Sequence, residues 1–194
     1  MRGLESYPAF YDASCALMER WGLSRWRDWL VKGARGKTLE VGCGTGRNLG
    51  RYPAGVELVA IEPDARMIRV ARRRAPQALL VQASAEALPF RDGEFETVIS
   101  SLVFCTVPDA ARGLVEVRRV RRRSGQRRMV EHVRSTARWL AGWQDLVQPA
   151  WTWVAGGCHP NRHTEKAVEH AGFVIETEGR RARGAMRRFS ARPI

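Results

Sequence analysis

A chain of 194 residues, 44% hydrophobic and 27% charged, has the size and composition of one globular domain with its own core. Its net charge of +13 permits attraction to nucleic acid, anionic lipid or an acidic substrate, but the arginines that carry it are scattered and read first as solvated charge. No run approaches the ~18 apolar residues of a transmembrane helix, no apolar signal-peptide core opens the chain, and Cys15, Cys43, Cys105 and Cys158 show no C-x-x-C spacing, so a reduced, cytoplasmic protein is expected.

Pro8 to Leu23 read as a helix, with Phe10, Ala13, Leu17 and Trp21 on one apolar face. Ser24 is the expected N-cap of a second helix that buries Trp26, Trp29 and Leu30 and ends at Gly33 and Gly36. Residues 1–36 therefore precede the sheet as lid helices, and Tyr7, Tyr11 and Asp12 are the residues there within reach of a ligand, with core packing the first reading of the two tyrosines. Lys37 to Val41 is a buried strand that stops in Gly42-Cys43-Gly44-Thr45-Gly46. These glycines let the backbone lie directly against a ligand. Arg47-Asn48-Leu49 is expected to open a helix whose first N–H groups favour an anion. In the dinucleotide fingerprint G-x-G-x-x-G a glycine belongs where Arg47 stands, which disfavours a dinucleotide-dependent oxidoreductase. N–H donors for a carboxylate, with Glu40 for an ammonium, suit an amino-acid-like ligand better.

The phrase from Glu40 to Gly46 resembles the E-x-G-x-G-x-G first motif of class I S-adenosylmethionine-dependent methyltransferases. The second strand, Glu57 to Ile61, ends in Glu62, 20 residues after Gly42 and placed to accept hydrogen bonds from both hydroxyls of a ribose. Pro63 and Asp64 open a helix with Met67, Val70 and Ala71 inward. Ala78 to Gln82 is a third strand running into Ser84, Ala85 and Glu86, and Phe95 to Ser101 is a fourth, followed by Leu102 and Val103. The A-E-x-L-P-F phrase and the strand after it resemble the second and third motifs, especially of the ubiquinone and menaquinone C-methyltransferases. Ser84 and Glu96 depart from that pattern, each standing where the family usually has aspartate.

Asp109 caps a helix with Leu114, Val117 and Val120 inward. The arginine run 118–128 follows. Where the family has Arg-Pro-Gly-Gly and an apolar strand, this chain has Ser124-Gly125 and then Arg127 and Arg128. Buried unpaired arginines are costly, so the fifth strand is expected to begin at Met129-Val130 or to stand partly exposed. The run reads as a solvated helix end, a basic patch for an anionic partner, or a locally altered reading frame. Glu131-His132-Val133 ends this strand over the pocket, which makes His132 either the candidate general base or a structural histidine. From Ser135 the chain reads helical to Pro149, with Trp139, Trp143, Leu146 and Val147 on one face: core, an apolar substrate wall, or a membrane contact. Cys158, His159, His163 and His170 match no zinc spacing, and no metal is expected. Thr164 to His170 is a helix stopped by Gly172, Phe173 to Ile175 a sixth strand, and Met186 to Ala191 a seventh. The Glu131-His132-Val133 phrase, Gln144, Pro149-Ala150-Trp151, Gly157-Cys158, Arg162, Thr164 and Ala171-Gly172-Phe173 together are similar to the methyltransferase-like thiol S-methyltransferases and their bacterial relatives.

The resemblance implies one α/β domain over residues 1–194. Its Rossmann-like fold would have a seven-stranded, mostly parallel sheet of order 3-2-1-4-5-7-6 between helices, with residues 134–171 as a helical substrate-side insertion. It implies S-adenosylmethionine as cofactor and S-adenosylhomocysteine as product. Glu40, Gly42, Cys43, Gly44, Gly46 and Asn48 would hold the methionine end. Glu62, Pro63 and Met67 would lie at the ribose, Ser84, Ala85 and Glu86 at the adenine, and Ser101, Leu102 and Val103 behind the methyl group. His132 and Tyr11 are the candidate catalytic residues, although a thiolate or amine acceptor needs no dedicated base. The expected reaction is methyl transfer to a small acceptor, apolar or a thiol or amine, with no obligatory nucleic acid and with peripheral membrane contact. The alternative is a non-catalytic, Arg-rich module that binds nucleic acid or anionic membrane on the same fold.

Overall fold

In the computed structural model, which describes residues 3, 4 and 7–194, one sheet runs through the chain with apolar clusters on both faces. Helix α1 (Pro8–Met18) passes through a π turn (Glu19–Leu23) into α2 (Ser24–Lys32). Strands β1 (Lys37–Val41) and β2 (Glu57–Glu62), helix α3 (Ala65–Arg74), and strands β3 (Leu79–Gln82) and β4 (Phe95–Ser101) follow. Then come α4 (Ala110–Val120), β5 (Arg121–His132), α5 (Arg138–Val154), α6 (Thr164–His170), β6 (Phe173–Ile175), β7 (Arg181–Arg183) and β8 (Met186–Pro193).

The sheet order is β3-β2-β1-β4-β5-β8-β6, with β7 paired on β8. Strands β1 to β5 are parallel, and β8 runs antiparallel to β5 and β6. Apart from β7, a short exposed strand not expected from the sequence, this is the anticipated topology. The order reverses between β1 and β4, so a ligand crevice opens beyond their carboxyl ends. Val41 lies opposite both Ile61 and Ser100, which brings the tips of β1, β2 and β4 side by side. On one face, Leu114, Val117 and Val120 of α4 meet Leu39, Val98 and Met129. On the other, Leu23 and Leu30 pack on Ile99 and Val130. No helix among the described residues is long and apolar enough to cross a membrane.

Four expectations are corrected. The first helix ends early, broken at Gly22 (φ 111°), and Cys15 is the residue that α1 buries; Leu17 and Trp21 are exposed. Its acidic face, described below, docks instead. No α-helix follows the glycine turn: residues 44–48 form turns and Leu49–Arg51 a single 3-10 turn. Pro53 holds Tyr52 extended (φ −65°, ψ 145°), which leaves the helix no room to propagate. The fifth strand begins at Arg121, not Met129, and, as the other branch of the expectation had it, stands partly exposed over residues 122–124. A register shift after the Phe95–Arg121 pair absorbs residues 122–125, and Arg127 and Arg128 then pair with Val98 and Ile99 in the middle of the sheet. Arg127 is only 1% exposed, between the rings of Phe104 and Phe173 at 5.1 and 5.0 Å. Finally, α5 continues across Pro149, and its Trp139–Trp143–Leu146 stripe faces outward, with Ala141 and Gln144 on the buried side.

Candidate active site

The glycine turn stands at the reversal point of the sheet. Gly42, Gly44 and Gly46 all have positive φ (66°, 55° and 83°). At Gly42 a Cβ would come within 2.7 Å of Val103 Cγ2, so the turn and the loop after β4 touch across the crevice only because no side chain intervenes. On the outer side, Tyr11 of the lid packs against Gly44.

Glu40 is 1% exposed and turned into the protein. Its two oxygens accept hydrogen bonds from Asn48 Nδ2 and Tyr52 OH, each at 2.8 Å. Burial pushes its pKa up, and the bonds from Tyr52 and Asn48 and the nearby Arg27 charge work against that. Arg27, buried on α2, donates to Asn48 Oδ1 at 2.8 Å and reaches Ser101 Oγ at 3.4 Å. A polar web thus runs under the turn from the lid to β4. Glu62, at the tip of β2, accepts from Gly44 N at 3.0 Å and Asp64 N at 3.1 Å, and burial raises its pKa against the pull of those two amides. It therefore touches the turn directly and retains lone pairs for further donors. Pro63 is exposed beside it, while Cys43 and Met67 are buried in the packing behind the turn.

Beyond β3, Ser84 donates to Glu86 Oε2 at 2.9 Å, and Glu86 Oε1 accepts from Asp109 N at the start of α4. Ala85 is core. Ser101, Leu102 and Val103 emerge from β4 opposite the turn. Leu102 has φ 60° and donates its N–H to Val130 O at 2.7 Å. A leucine held in the left-handed region marks stored strain, which the surroundings must over-determine. They do so through Glu131, which is wholly buried and accepts from the amides of Val103, Phe104 and Cys105 and from Ser100 Oγ. From the far side, Arg162 donates to the carbonyls of Phe104 and Val107. His132, next on β5, sets its Nδ1 against the thiols of Cys158 and Cys105 and its ring edge-on to Trp151.

The segment from α1 through the π turn is held by charge. Arg47 pairs with Glu19 (2.6 Å) and Asp12 (3.3 Å), and Arg74 with Asp12 (2.5 Å), while Thr45 donates to Asp12 at 2.7 Å. Burial alone would raise the pKa of Asp12. The hydrogen bonds from Arg74 and Thr45 and the Arg74 charge outweigh it and hold the carboxyl below its usual range; Glu19 is lowered in the same way by Arg47, Arg27 and Arg51. With its acidic face engaged, the lid turns Leu17, Met18, Trp21, Leu23 and Trp26 toward Met186. These residues, with Gly22 and Arg183, line a half-open apolar groove of about 340 Å³. Met186 is the register partner of His132, so the groove borders the end of β5.

The glycine turn, Glu62, Val103 and Tyr11 therefore converge. Ser84 and Glu86 bond to each other and to the start of α4, and His132 belongs with the two cysteines. Sequence reasoning missed Arg27, Glu131 and the Cys105–His132–Cys158 grouping. Arg27 carried a signal, since it shares the buried Leu30–Val31 side of α2. Glu131 and the cysteines carried none, because the contacts that define them are between distant segments.

The methyltransferase domain family matches residues 39–129. The chain is 32% identical over 178 residues to thiol S-methyltransferase TMT1A of Homo sapiens, covering 88% of this chain and 73% of that protein. It is 32% identical over 153 residues to thiol S-methyltransferase TMT1B of Homo sapiens, covering 74% of this chain and 63% of the relative. A demethylmenaquinone methyltransferase of Renibacterium salmoninarum is 30% identical over 121 residues, covering 60% and 51% of the two chains. Among solved structures, a SAM-dependent methyltransferase from Thermotoga maritima superposes with a TM-score of 0.69 at 20% identity, covering 95% of this chain and 98% of that one. One from Mesorhizobium loti gives 0.62 at 18% identity, covering 84% and 92%. The fold, a turn in which Gly42 leaves no room for a side chain, and an acid at the tip of β2 all fit S-adenosylmethionine as the cofactor. The chain belongs to the class I S-adenosylmethionine-dependent methyltransferases.

Proposed function

We propose that the chain transfers the methyl group of S-adenosylmethionine to a small apolar thiol. One observation carries this reading: a half-open apolar groove of about 340 Å³, lined by residues of the segment 17–26 and by Met186, the register partner of His132. The similarity to thiol S-methyltransferases supports a thiol over an amine or a ring carbon. The bound cofactor supplies an electrophilic methyl on a good leaving group, so the protein's work is to align and dry the acceptor. Glu62 accepts from the ribose hydroxyls with the lone pairs left by Gly44 and Asp64. The turn amides take the carboxylate, and Glu40 takes the ammonium when Asn48 or Tyr52 yields. Ser84, Ala85 and Glu86 edge the adenine. Leu102 and Val103 exclude water behind the methyl group, and Tyr11 closes the outer side. His132, set against two thiols, serves the acceptor rather than the cofactor.

The test is transfer of a radiolabelled methyl group to a small aliphatic thiol, an amine, a quinol and a phospholipid, in parallel. Transfer to the thiol is expected; transfer to another class alone refutes the assignment. The arginine run gives the binding-module alternative less support, because Arg121 and Arg127 are buried and Arg119 and Arg122 are paired with acids, which leaves Arg118 and Arg123 as exposed members. Exposed Trp139, Trp143, Leu146 and Trp153 on α5 support peripheral membrane contact by a cytoplasmic protein. Co-sedimentation with vesicles, reduced by Trp139→Ser and Trp143→Ser, checks that contact.

A further inference from the structure

Cys105 comes from the loop after β4, His132 is the last residue of β5, and Cys158 comes from the loop after α5. Their donor atoms all lie within 4.8 Å of one another, with His132 Nδ1 3.5 Å from Cys158 Sγ and 4.0 Å from Cys105 Sγ. Around a tetrahedral zinc ion, with Zn–S near 2.3 Å and Zn–N near 2.0 Å, two such donors stand about 3.5–3.8 Å apart. The grouping is thus within about 1 Å of a coordination sphere without rearrangement of the backbone.

We infer that Cys105, His132 and Cys158 form a zinc site whose fourth position receives the thiol acceptor, a deepening that rests on the methyl-transfer reading. Three lines of chemistry support it. Two thiolates and an imidazole are soft and borderline donors, suited to zinc and not to magnesium or calcium. Two thiolates neutralise a divalent ion, so the filled site carries no net charge into surroundings that include buried Ala155. Each ligand's backbone is pinned. The amide of Cys105 donates to Glu131 and its carbonyl accepts from His159 N at 2.8 Å. The carbonyl of His132 accepts from Thr164 Oγ1 at 3.3 Å, and that of Cys158 from Thr152 Oγ1 at 3.1 Å. Such outer contacts are what a metal site needs to hold its ligands in place. Three protein ligands leave one position open, as in catalytic zinc sites. A thiol that coordinates there loses its S–H proton to water as the Zn–S bond forms, which leaves a thiolate at neutral pH with no change of oxidation state. His132 then acts as a ligand rather than as a base.

The experiment loads the full chain with zinc, removes excess by dialysis and counts metal by mass spectrometry, then repeats the loading with cobalt and records the spectrum. S-adenosylhomocysteine binding is measured by calorimetry on the same samples. One zinc per chain is expected, with an intense sulfur-to-cobalt charge-transfer band and visible cobalt bands that move when a small aliphatic thiol is added. Cys158→Ser and Cys105→Ser are expected to lower metal retention about tenfold or more while still binding S-adenosylhomocysteine. Wild-type protein that binds S-adenosylhomocysteine but holds no zinc, or that instead oxidises to a Cys105–Cys158 disulfide, overturns the zinc site alone. Zinc bound with cobalt bands indifferent to thiol overturns the acceptor role. Absence of S-adenosylhomocysteine binding overturns the methyl-transfer reading beneath it.

Discussion

Arg127→Met is expected to make this protein more stable. The Arg127 side chain is buried in the central strand with Nη1 and Nη2 unbonded among the described residues. Its compensation is two ring faces at 5.1 and 5.0 Å and the attraction of Glu131, whose oxygens are already committed to the loop amides. Burial pushes its pKa down to about 9, against the pull of Glu131. That depression corresponds to roughly 5 kcal/mol against the charged form. The sign is that of a lowered base: the cost is complete below the folded-state value and fades as pH rises through about 9 toward the ordinary arginine value. Methionine has similar volume and no charge, so the exchange removes the penalty and forfeits the contacts with Phe104 and Phe173, which are worth up to about 2 kcal/mol each. Glu131 loses an attracting charge but keeps its four hydrogen-bond donors, so the net gain at neutral pH is about 1–3 kcal/mol. For a chain of this length that is roughly 2–12 °C in Tm. Urea denaturation at constant m, with a parallel thermal scan, reads it. A variant no more stable than the parent would refute the claim that this guanidinium is under-compensated.

Glu62→Ala is expected to weaken S-adenosylhomocysteine binding by about 10- to 100-fold, the worth of one or two hydrogen bonds to a charged acceptor, as read by calorimetry; an unchanged Kd would remove Glu62 from the site. Gly42→Ala forces a Cβ to 2.7 Å from Val103 at φ 66°, so cofactor binding is expected to collapse and to recover in part with Val103→Ala, in a double-mutant cycle. The lid clamp rests on Asp12 and Glu19, whose folded-state pKa values are lowered. Its contribution is therefore present above the unfolded-state values and disappears as pH falls through the lowered ones, and Arg47→Ala weakens it at all pH while the Arg74–Asp12 and Arg27–Glu19 pairs remain. Hydrogen exchange over residues 8–19 should rise in acid for the parent and be faster than the parent's at neutral pH for the variant.

Much of the fold was legible because strand and turn signals are local. The third, fourth and sixth strands and the helix Thr164–His170 stand within a residue of where pattern placed them, and the strand order followed from the resemblance. Reasoning failed where a distant partner overrode a local preference. Leu17 and Trp21 mark an apolar stripe, yet ion pairs from Arg47 and Arg74 turn the opposite side of the helix inward. Arg127 looked incompatible with a central strand, yet Phe104 and Phe173, 23 and 46 residues away, make a slot for it. The glycine turn and Glu62 could be named beforehand, since their roles are set by a strand tip and a turn. The grouping around His132 could not, because Cys105 and Cys158 reach it through two separate loops.

The attachment of α1 has a thermal consequence. Because this segment is tethered by carboxylate–guanidinium pairs and buries little apart from Cys15, detaching it uncovers charge rather than oily surface. Exposure of that kind carries a small heat-capacity change, so the enthalpy of detachment should stay nearly constant with temperature and its van 't Hoff plot nearly straight. Detachment should also follow ionic strength closely, because the tethers are ion pairs near the surface.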